Sequence, residues 1–237
     1  MYVSAIVVAA GKGLRLKSRI PKPLVKIDSK PLIIYSLNAL SRYPLVREIV
    51  VVANPSNYPG ITKIIRQYRV SKIKDVVLGG IRRQDSVYNG LRVIEPRTDL
   101  VLIHDGARPF IDTKILSSLI KAAKEYGAAI VGVPVEATIK SVVSSQGSVV
   151  RVKKTIDREN LWEIQTPQVF KKDLILEAYE KFGNTKVTDD AMLVEKMGVK
   201  VSVIPGSYNN IKITTPQDLI LAEAIFKKIK NTLTHDT

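Results

Sequence analysis

The chain has 237 residues, of which 45% are hydrophobic, and it carries 37 lysines and arginines against 22 aspartates and glutamates. This length and hydrophobic content predict one large folded domain, or one domain with an appendage, and exclude general disorder. Cysteine is absent and the histidines are His104 and His235, which excludes a disulfide framework, a thiolate zinc site and a multi-histidine metal site. Any metal ion is therefore expected to take oxygen ligands.

The formal net charge of +15 is in the range typical of nucleic-acid-binding proteins. However, the basic residues are scattered along the chain, aromatic residues make up only 6%, and no zinc-finger, RNP or arginine-rich tract occurs. We therefore expect an anionic small molecule as the ligand and no specific nucleic acid. Met1 is followed at once by a strand-like segment, and no apolar run is long enough to cross a bilayer. This pattern predicts a soluble cytoplasmic protein without a membrane partner.

Short apolar runs alternate with amphipathic segments along most of the chain. The predicted strands cover residues 3–10, 48–53, 76–78, 100–103, 128–133 and 199–204. The predicted helices cover residues 32–40, 61–68, 86–93, 114–126, 171–182 and 216–229. The alternation predicts an α/β fold with a doubly wound, mostly parallel sheet. Ligands bind such sheets outside the carboxyl ends of the strands, so the segments that follow strands are the candidate site.

One segment interrupts the alternation. Residues 138–155 read TIKSVVSSQGSVVRVKKT, which is two β-branched runs joined by the turn-forming residues 145–147, Ser-Gln-Gly. The pattern predicts a β-hairpin. We expect it to project, over residues 137–157, as an arm from a single domain that spans residues 1–237, and to pack on another subunit. The alternative is an antiparallel addition to the edge of the sheet.

The first predicted strand runs into a glycine-rich, basic loop, AAGKGLRLKSRIPKP, at residues 9–23. Its glycines allow backbone N–H groups to approach anionic oxygens, which predicts a phosphate ligand. A dinucleotide fingerprint would need glycine where Leu16 stands and an acid where Asn54 ends the second strand, so NAD is not expected. Pro21 and Pro23 keep the chain irregular, which argues against a P-loop ATPase.

The longer segment from Lys12 to Lys30 carries seven basic residues against the single acid Asp28, an excess that suits a polyphosphate. The basic residues are Lys12, Arg15, Lys17, Arg19, Lys22, Lys26 and Lys30. Several of them are expected to be solvated surface charges, because exposed charges interact weakly through water. Arg15 and Lys22 are the candidates for ligand contact.

The motif AAGKGLR with PK downstream resembles the signature of nucleotidylyltransferases. Four later stretches, GGIRRQDSVYNGL, IHDGARPF, TDDAMLVEKMG and NNIKITTPQDL, together with LWEIQTPQVF, are similar in order and spacing to the 2-C-methyl-D-erythritol 4-phosphate cytidylyltransferase family. The resemblance spans nearly the whole chain. It implies a Rossmann-like nucleotidyltransferase fold and transfer of a cytidylyl group from CTP to the polyol phosphate in non-mevalonate isoprenoid synthesis. It also implies magnesium as the cofactor, and a homodimer whose arms complete the neighbouring site.

The resemblance further implies a nucleotide site built from the glycine-rich loop and the loop after the third predicted strand. Its residues would be Ala10, Gly11 and Gly13 near the ribose and phosphates, and Gly80, Arg83 and Ser86 around the cytosine. For Asp85 and Ser86 the alternative is ordinary helix capping.

Asp105 ends the fourth predicted strand, where an α/β fold presents a carboxylate, and the resemblance implies that it binds magnesium. For catalysis, we expect Arg15 and Lys22 to stabilise charge on the triphosphate and Lys212 to act at the α-phosphate. Asn209 stands where many relatives carry an acid, which leaves a second protein ligand open. His104 is expected to be a packing residue, and Arg108 an ion-pair partner that could also steer phosphate.

On the acceptor side, the resemblance implies five contacts with the polyol phosphate. These residues are Thr138, Arg158, Thr166, Thr188 and Asp189. The alternatives are a plain strand residue for Thr138, an ion pair between subunits for Arg158 and a helix cap for Asp189. Ala137 departs from the Asp usual at this position. Two rival functions stay open, a ribitol 5-phosphate cytidylyltransferase and a non-catalytic nucleotide- or RNA-binding protein.

Overall fold

A seven-stranded sheet forms the centre of the protein, seen in a computed structural model that describes residues 1–144 and 150–235. The strand order is β11-β7-β10-β6-β1-β4-β5. All neighbouring strands run parallel except β10, which is antiparallel to both β6 and β7. The predicted fold class, an α/β protein with a mostly parallel sheet, is confirmed.

The elements have the following bounds. The strands are β1 Val3–Val8, β2 Lys26–Ile27, β3 Lys30–Pro31, β4 Val46–Ala53, β5 Ile73–Leu78, β6 Leu100–Asp105, β7 Ala128–Pro134, β8 Ile139–Ser144, β9 Val150–Ile156, β10 Trp162–Lys171 and β11 Ser202–Pro205. The helices are α1 Leu32–Arg42, α2 Tyr58–Gln67, α3 Arg83–Leu91, α4 Thr113–Tyr126, α5 Lys172–Phe182, α6 Ala191–Glu195 and α7 Pro216–His235. None of the helices in these described ranges is long and apolar enough to cross a membrane.

Helices cover both faces of the sheet because side chains alternate along each buried strand. In β1, Ala5 and Val7 lie on the face covered by α1, α2 and α4, whereas Ile6 lies on the face covered by α3, α5 and α6. A third, smaller cluster holds α7 against the short β2–β3 ladder through residues such as Ile27 and Ala222. The apolar runs read from the sequence therefore correspond to strands of a doubly wound sheet: β1, β4, β6 and β7 inside it, and β5 and β11 at its edges.

Strand β10 was missing from the sequence prediction. Its sequence WEIQTPQVFK contains Pro167, and proline in a central strand removes a ladder hydrogen bond. The fold accommodates it with a register shift against β7 between Gln165 and Gln168. Pairing with β6 on one side and β7 on the other makes this segment a strand although its proline disfavours one.

The predicted hairpin is present as β8 and β9, which pair only with each other in a two-stranded sheet. Addition to the edge of the main sheet is therefore wrong. The turn predicted at residues 145–147 lies outside the described residues.

The direction of strand succession reverses at β1, because β4 and β5 lie on one side of it and β6 lies on the other. The chain that leaves β1 therefore continues toward β4, whereas the chain that leaves β6 continues toward β7, and the point where the strand order reverses is the usual ligand site of such sheets. The segment after Val8 and the carboxylate of Asp105 meet at this point, since the two residues are paired in the ladder.

Candidate active site

A cleft of about 950 Å³ opens at the carboxyl ends of the central strands. All of the predicted nucleotide-binding, catalytic and metal residues line it: Ala10, Gly11, Gly13, Arg15, Lys22, Gly80, Arg83, Ser86, Asp105 and Lys212. These residues come from four separate parts of the chain, so the fold has brought the predicted nucleotide site together.

The glycine-rich loop is shaped by Gly13 and held from behind by two asparagines. Gly13 has φ 64°, and a Cβ there would lie 2.8 Å from the Lys22 Cβ, so only glycine leaves room for that lysine. Asn54 donates from Nδ2 to the Ala10 carbonyl over 3.0 Å, and Asn57 donates to the Ala9 carbonyl over 2.9 Å. Sequence reasoning used Asn54 only to argue against a dinucleotide and missed this supporting role.

In the second loop, the Ser86 hydroxyl fixes the backbone. It accepts a hydrogen bond from the Gly80 N–H over 3.1 Å and donates to the Arg82 carbonyl over 3.2 Å. Helix α3 begins at Arg83, three residues before the predicted start, and Asp85 caps it by accepting from the Arg82 N–H. The capping alternative therefore describes Asp85, and Ser86 shapes the loop that lines the cleft.

Asp105 is the electrostatic centre of the cleft. Arg83 donates from Nε and Nη2 to Asp105 Oδ1, both over 3.2 Å, and the Lys212 ammonium lies 2.6 Å from Oδ2. Burial would raise the pKa of this carboxyl, but the charges of Arg83 and Lys212 outweigh burial and hold the pKa well below its usual range. Asp105 is therefore ionised at neutral pH.

Arg83 also donates from Nη1 to Asp190 Oδ2 over 2.8 Å. Its described guanidinium contacts are thus with two carboxylates, and a contact with the base stays a prediction. Asp190 is 1% exposed and was not among the predicted site residues. It lies 107 positions from Arg83 in the chain, a distance at which no local sequence pattern signals an ion pair.

Lys22 is half-buried beside the same charges. Burial lowers its pKa to about 8, with further lowering from the positive charges of Lys212 and Arg15 and a smaller opposing effect of Asp105. Cations gathered in this way, without enough carboxylates to match them, favour a polyanionic ligand.

A second cleft of about 410 Å³ shares Arg83, Asp105 and Lys212 with the first, so these three side chains form the wall between them. Three of the predicted acceptor residues, Thr166, Thr188 and Asp189, line this second cleft. The Asp189 carboxylate accepts from Gln168 Nε2 over 2.8 Å and from the Met192 N–H over 3.1 Å. The helix-cap alternative therefore describes part of its role.

His104 and Thr166 hold Asp105 from behind. Burial lowers the pKa of His104 to about 4, so the ring is neutral. With Nε2–H donating to the Arg108 carbonyl over 3.0 Å, Nδ1 accepts from the Thr166 hydroxyl over 3.1 Å. That hydroxyl also accepts from the Asp105 N–H over 3.0 Å. The packing role predicted for His104 is confirmed, and the Thr166 hydroxyl is committed to this chain of hydrogen bonds.

The ion pair expected for Arg108 is wrong for the described residues. Arg108 is 7% exposed and donates from Nη1 to the Asn210 carbonyl over 2.6 Å. No ion pair within residues 1–144 and 150–235 includes it, and its Nε has no hydrogen-bond partner there. Arg108 lines the second cleft, so a buried cation that is ion-paired with no described carboxylate faces that cavity.

Thr138 and Arg158 line neither cleft of their own chain. Both are exposed at the base of the hairpin, where Arg158 donates to the Glu136 carbonyl. Asn209 is exposed as well, and its described hydrogen bond is from its backbone N–H to the Ser207 hydroxyl.

The oxygen donors near the wall fit a hard divalent cation that arrives with a nucleotide. Asp105 is the carboxylate that lines the first cleft, and Mg²⁺ commonly takes one or two protein carboxylates together with phosphate oxygens and water. Within the described ranges, no group of three acidic, histidine or cysteine residues could cage a metal alone.

Comparison with known proteins gives one consistent result. The model of the family IspD, 2-C-methyl-D-erythritol 4-phosphate cytidylyltransferase, matches residues 3–228. The enzyme of that name from Syntrophus aciditrophicus is 45% identical over 95% of this chain and 96% of its own, and one from Clostridium botulinum is 44% identical over 95% and 98%. A crystal structure of 4-diphosphocytidyl-2C-methyl-D-erythritol synthase from Anaerococcus prevotii superimposes with a TM-score of 0.82 at 34% identity, covering 95% of this chain and 96% of that one.

Proposed function

Because this chain belongs to the 2-C-methyl-D-erythritol 4-phosphate cytidylyltransferase family, we propose specific roles for the side chains that surround Asp105. The chain is a transferase that moves a cytidylyl group from CTP to 2-C-methyl-D-erythritol 4-phosphate in the methylerythritol phosphate pathway. The rival assignments to a ribitol 5-phosphate enzyme or to a non-catalytic binding protein find no support in these relatives.

One observation carries the proposed roles, namely that Arg83, Asp105 and Lys212 form the wall shared by the two clefts. CTP takes the larger cleft and the acceptor phosphate takes the smaller one. The atom that attacks and the phosphorus that is attacked then meet at this wall. Such a layout positions the two reactants without any covalent intermediate.

In the reaction, an oxygen of the acceptor phosphate forms a bond to the α-phosphorus of CTP while the bond from that phosphorus to the bridging oxygen breaks. The electron pair leaves with pyrophosphate. Two anions must approach each other, so the main task of the protein is to supply positive charge. Arg15 and Lys22 stabilise the triphosphate and the departing pyrophosphate, and Lys212 stabilises the charge that develops at the α-phosphate.

Asp105 is the proposed protein ligand for Mg²⁺. The bound ion would supply Lewis-acid stabilisation of the phosphate oxygens. The carboxylate is suited to this role because it is ionised and is held by the Thr166 hydroxyl at its own N–H. Asn209 is not proposed as a second ligand, since it lines neither cleft.

In the second cleft, Arg108 is the proposed partner of the acceptor, next to Thr166, Thr188 and Asp189. A buried guanidinium whose Nε lacks a partner within the described ranges is costly unless a ligand satisfies it. The polyol phosphate offers both an anionic group and hydroxyl oxygens for that purpose.

We propose that the chain is a single catalytic domain and forms a homodimer, in which the arm of one copy completes the second cleft of the other copy. The arm presents four half-exposed valines, Val142, Val143, Val150 and Val152, which are expected to be covered in a dimer. Thr138 and Arg158 lie at its base and line neither cleft of their own chain, so they are available to a neighbour. The cytoplasmic location expected from the sequence stays a prediction.

Mixed dimers test the sharing of sites. Arg158→Ala and Lys212→Ala are each expected to be nearly inactive, whereas co-refolded mixtures should regain about a quarter of wild-type activity, because half of the dimers are mixed and one of their two sites is intact. The matched control mixes Lys22→Ala with Lys212→Ala, whose defects lie in the same cleft, and should show no recovery. Mixed dimers that form without regaining activity would contradict the proposal.

Pyrophosphate release tests the reaction itself. CTP and Mg²⁺ are supplied with 2-C-methyl-D-erythritol 4-phosphate or with ribitol 5-phosphate at matched concentrations. Preference for the first acceptor is expected. Preference for ribitol 5-phosphate would point to a changed acceptor pocket near Ala137, and the absence of release with both would contradict the assignment.

A further inference from the structure

Asp190 and Tyr179 lie behind the wall between the two clefts, and neither residue has a role in the reaction proposed above. The Tyr179 hydroxyl donates to Asp190 Oδ1 over 2.5 Å, and Asp190 Oδ2 accepts from Arg83 over 2.8 Å. Arg83 in turn reaches Asp105. A chain of four side chains therefore runs from the core of α5, through the start of α6, to the proposed metal ligand.

Asp105 faces a conflict in this arrangement. Arg83 occupies its Oδ1 and Lys212 occupies its Oδ2, so both oxygens are already paired. A divalent cation that binds this carboxylate must take one oxygen from a positively charged partner. Lys212 is the more exposed of the two partners, with a side chain 41% exposed against 29% for Arg83, and it is the group expected at the α-phosphate.

Asp190 holds Arg83 in place, so that Lys212 is the partner that gives way to the cation. An arginine paired with Asp105 alone would compete with the cation, or would follow the nucleotide phosphates when the cation arrived. Asp190 supplies a second carboxylate that keeps the guanidinium at the Oδ1 edge. Its own negative charge also lowers the net positive charge that the incoming cation meets.

We propose that Asp190, oriented by the Tyr179 hydroxyl, is a positioning residue that anchors Arg83 so that Asp105 can exchange Lys212 for the metal ion. The inference rests on the proposed role of Asp105 as metal ligand.

Two features distinguish this arrangement from ordinary helix capping or packing. Asp190 precedes α6, but its side chain makes no capping hydrogen bond to that helix. The Tyr179 ring stacks on Tyr88 with centroids 5.7 Å apart and planes inclined by 15°, which fixes the direction of its hydroxyl. The Asp190 carboxylate is thus oriented toward Arg83 by a tyrosine whose own position is fixed by stacking.

The test measures CTP binding by calorimetry without acceptor, over a series of Mg²⁺ concentrations, so that no turnover is involved. Asp190→Asn keeps the shape of the side chain and removes its charge. The Mg²⁺ concentration that gives half of the gain in CTP affinity should rise about tenfold, the order expected for one charge removed near a divalent ion in a partly solvated pocket. Binding of CTP without Mg²⁺ should not weaken, because the cleft becomes more positive. Tyr179→Phe should shift the Mg²⁺ midpoint in the same direction by about two- to threefold, and Asp190→Glu should restore part of it.

Matched controls are Asp173→Asn, which removes a charge from a side chain that is 95% exposed on α5, and Tyr126→Phe, which removes an exposed hydroxyl. Neither should move the midpoint. Equal losses of CTP affinity with and without Mg²⁺ in Asp190→Asn, or an unchanged midpoint, would overturn the inference. Asp105→Asn separates the two proposals: it should abolish the Mg²⁺ dependence, and if that dependence persists, the metal role of Asp105 fails and the inference fails with it.

Discussion

Lys22 should limit the capture of CTP on the alkaline side of neutrality. Its pKa is lowered to about 8, first by burial and then by the positive charges of Lys212 and Arg15. A triphosphate favours the charged ammonium, so bound CTP raises this pKa again. Binding is therefore expected to take up a proton when the pH exceeds about 8, and to be independent of this group at lower pH.

The magnitude follows from the fraction of free enzyme that carries the charge. At a pH of about 9, roughly a tenth of the Lys22 side chains are protonated, so kcat/KM for CTP should be about tenfold below its plateau value. At a pH of about 8.5, close to three quarters of a proton should be taken up per CTP bound, roughly the unprotonated fraction in the free enzyme.

Two assays measure these effects. Pyrophosphate release at low CTP and saturating acceptor gives kcat/KM across the alkaline range, and calorimetry in two buffers with different ionisation enthalpies gives the proton uptake. Lys22→Arg is the informative variant, because a guanidinium stays charged throughout, and its alkaline limb should move beyond the range of the assay. The exposed Lys63→Arg is the control and should leave the limb in place.

An alkaline limb that is the same in Lys22→Arg and in the wild type would refute the reasoning, since another group would then be responsible. A wild-type profile that stays flat to a pH of about 9.5 would refute the lowered pKa.

Three further outcomes test other parts of the cleft and its support. Gly13→Ala is expected to lower the free energy of unfolding by about 1–2 kcal/mol because of the left-handed backbone, and to weaken CTP binding because the added methyl group displaces Lys22. Urea unfolding and CTP calorimetry measure the two effects. Unchanged stability and affinity would contradict the close approach of Gly13 to Lys22. The pKa of His104 is about 4 in the folded protein, against about 6.5 in the unfolded chain. Acid therefore favours the unfolded chain, which takes up the proton more readily, and about 2 kcal/mol of stability should be lost by a pH of about 5. His104→Asn should flatten that part of the pH–stability curve, and persistence of the slope would exclude His104 as its source. Arg108→Lys should raise KM for the polyol phosphate about 10-fold or more, as expected for loss of hydrogen bonds from a charged group, while KM for CTP measured in the same kinetic series stays nearly constant; equal changes in both would contradict its assignment to the acceptor cleft.

The sequence determined the class of the fold because buried parallel strands and amphipathic helices leave patterns that are local. The apolar runs at β1, β4 and β6 and the helices between them needed only periodicity to be recognised. The basic, glycine-rich loop could be predicted to bind phosphate for the same reason, since that prediction depends on residues adjacent in the chain. The position of Asp105 at the end of a strand was also local, whereas its proposed metal role came from the resemblance to the family.

Strand β10 and the ionic pairing around Asp105 depended on neighbours that lie far away in the sequence. Pro167 argues locally against a central strand, and only pairing with β6 and β7 on both sides makes that segment one. Arg83 could be recognised as a candidate side chain, but its division between Asp105 and Asp190 follows from packing that brings α3, β6 and the start of α6 together.

Tertiary structure also decided which candidate groups are already engaged and which face a cavity. The hydroxyls of Ser86 and Thr166 satisfy loop and strand backbone groups, whereas the buried Arg108 has a nitrogen that no described residue satisfies. Chain order lists donors and acceptors but does not pair them, because hydrogen bonds and ion pairs form between groups that are close in space. The sequence therefore indicated which chemical groups the candidate site contains, whereas the fold determined which hydrogen-bond and ion-pair partners those groups have.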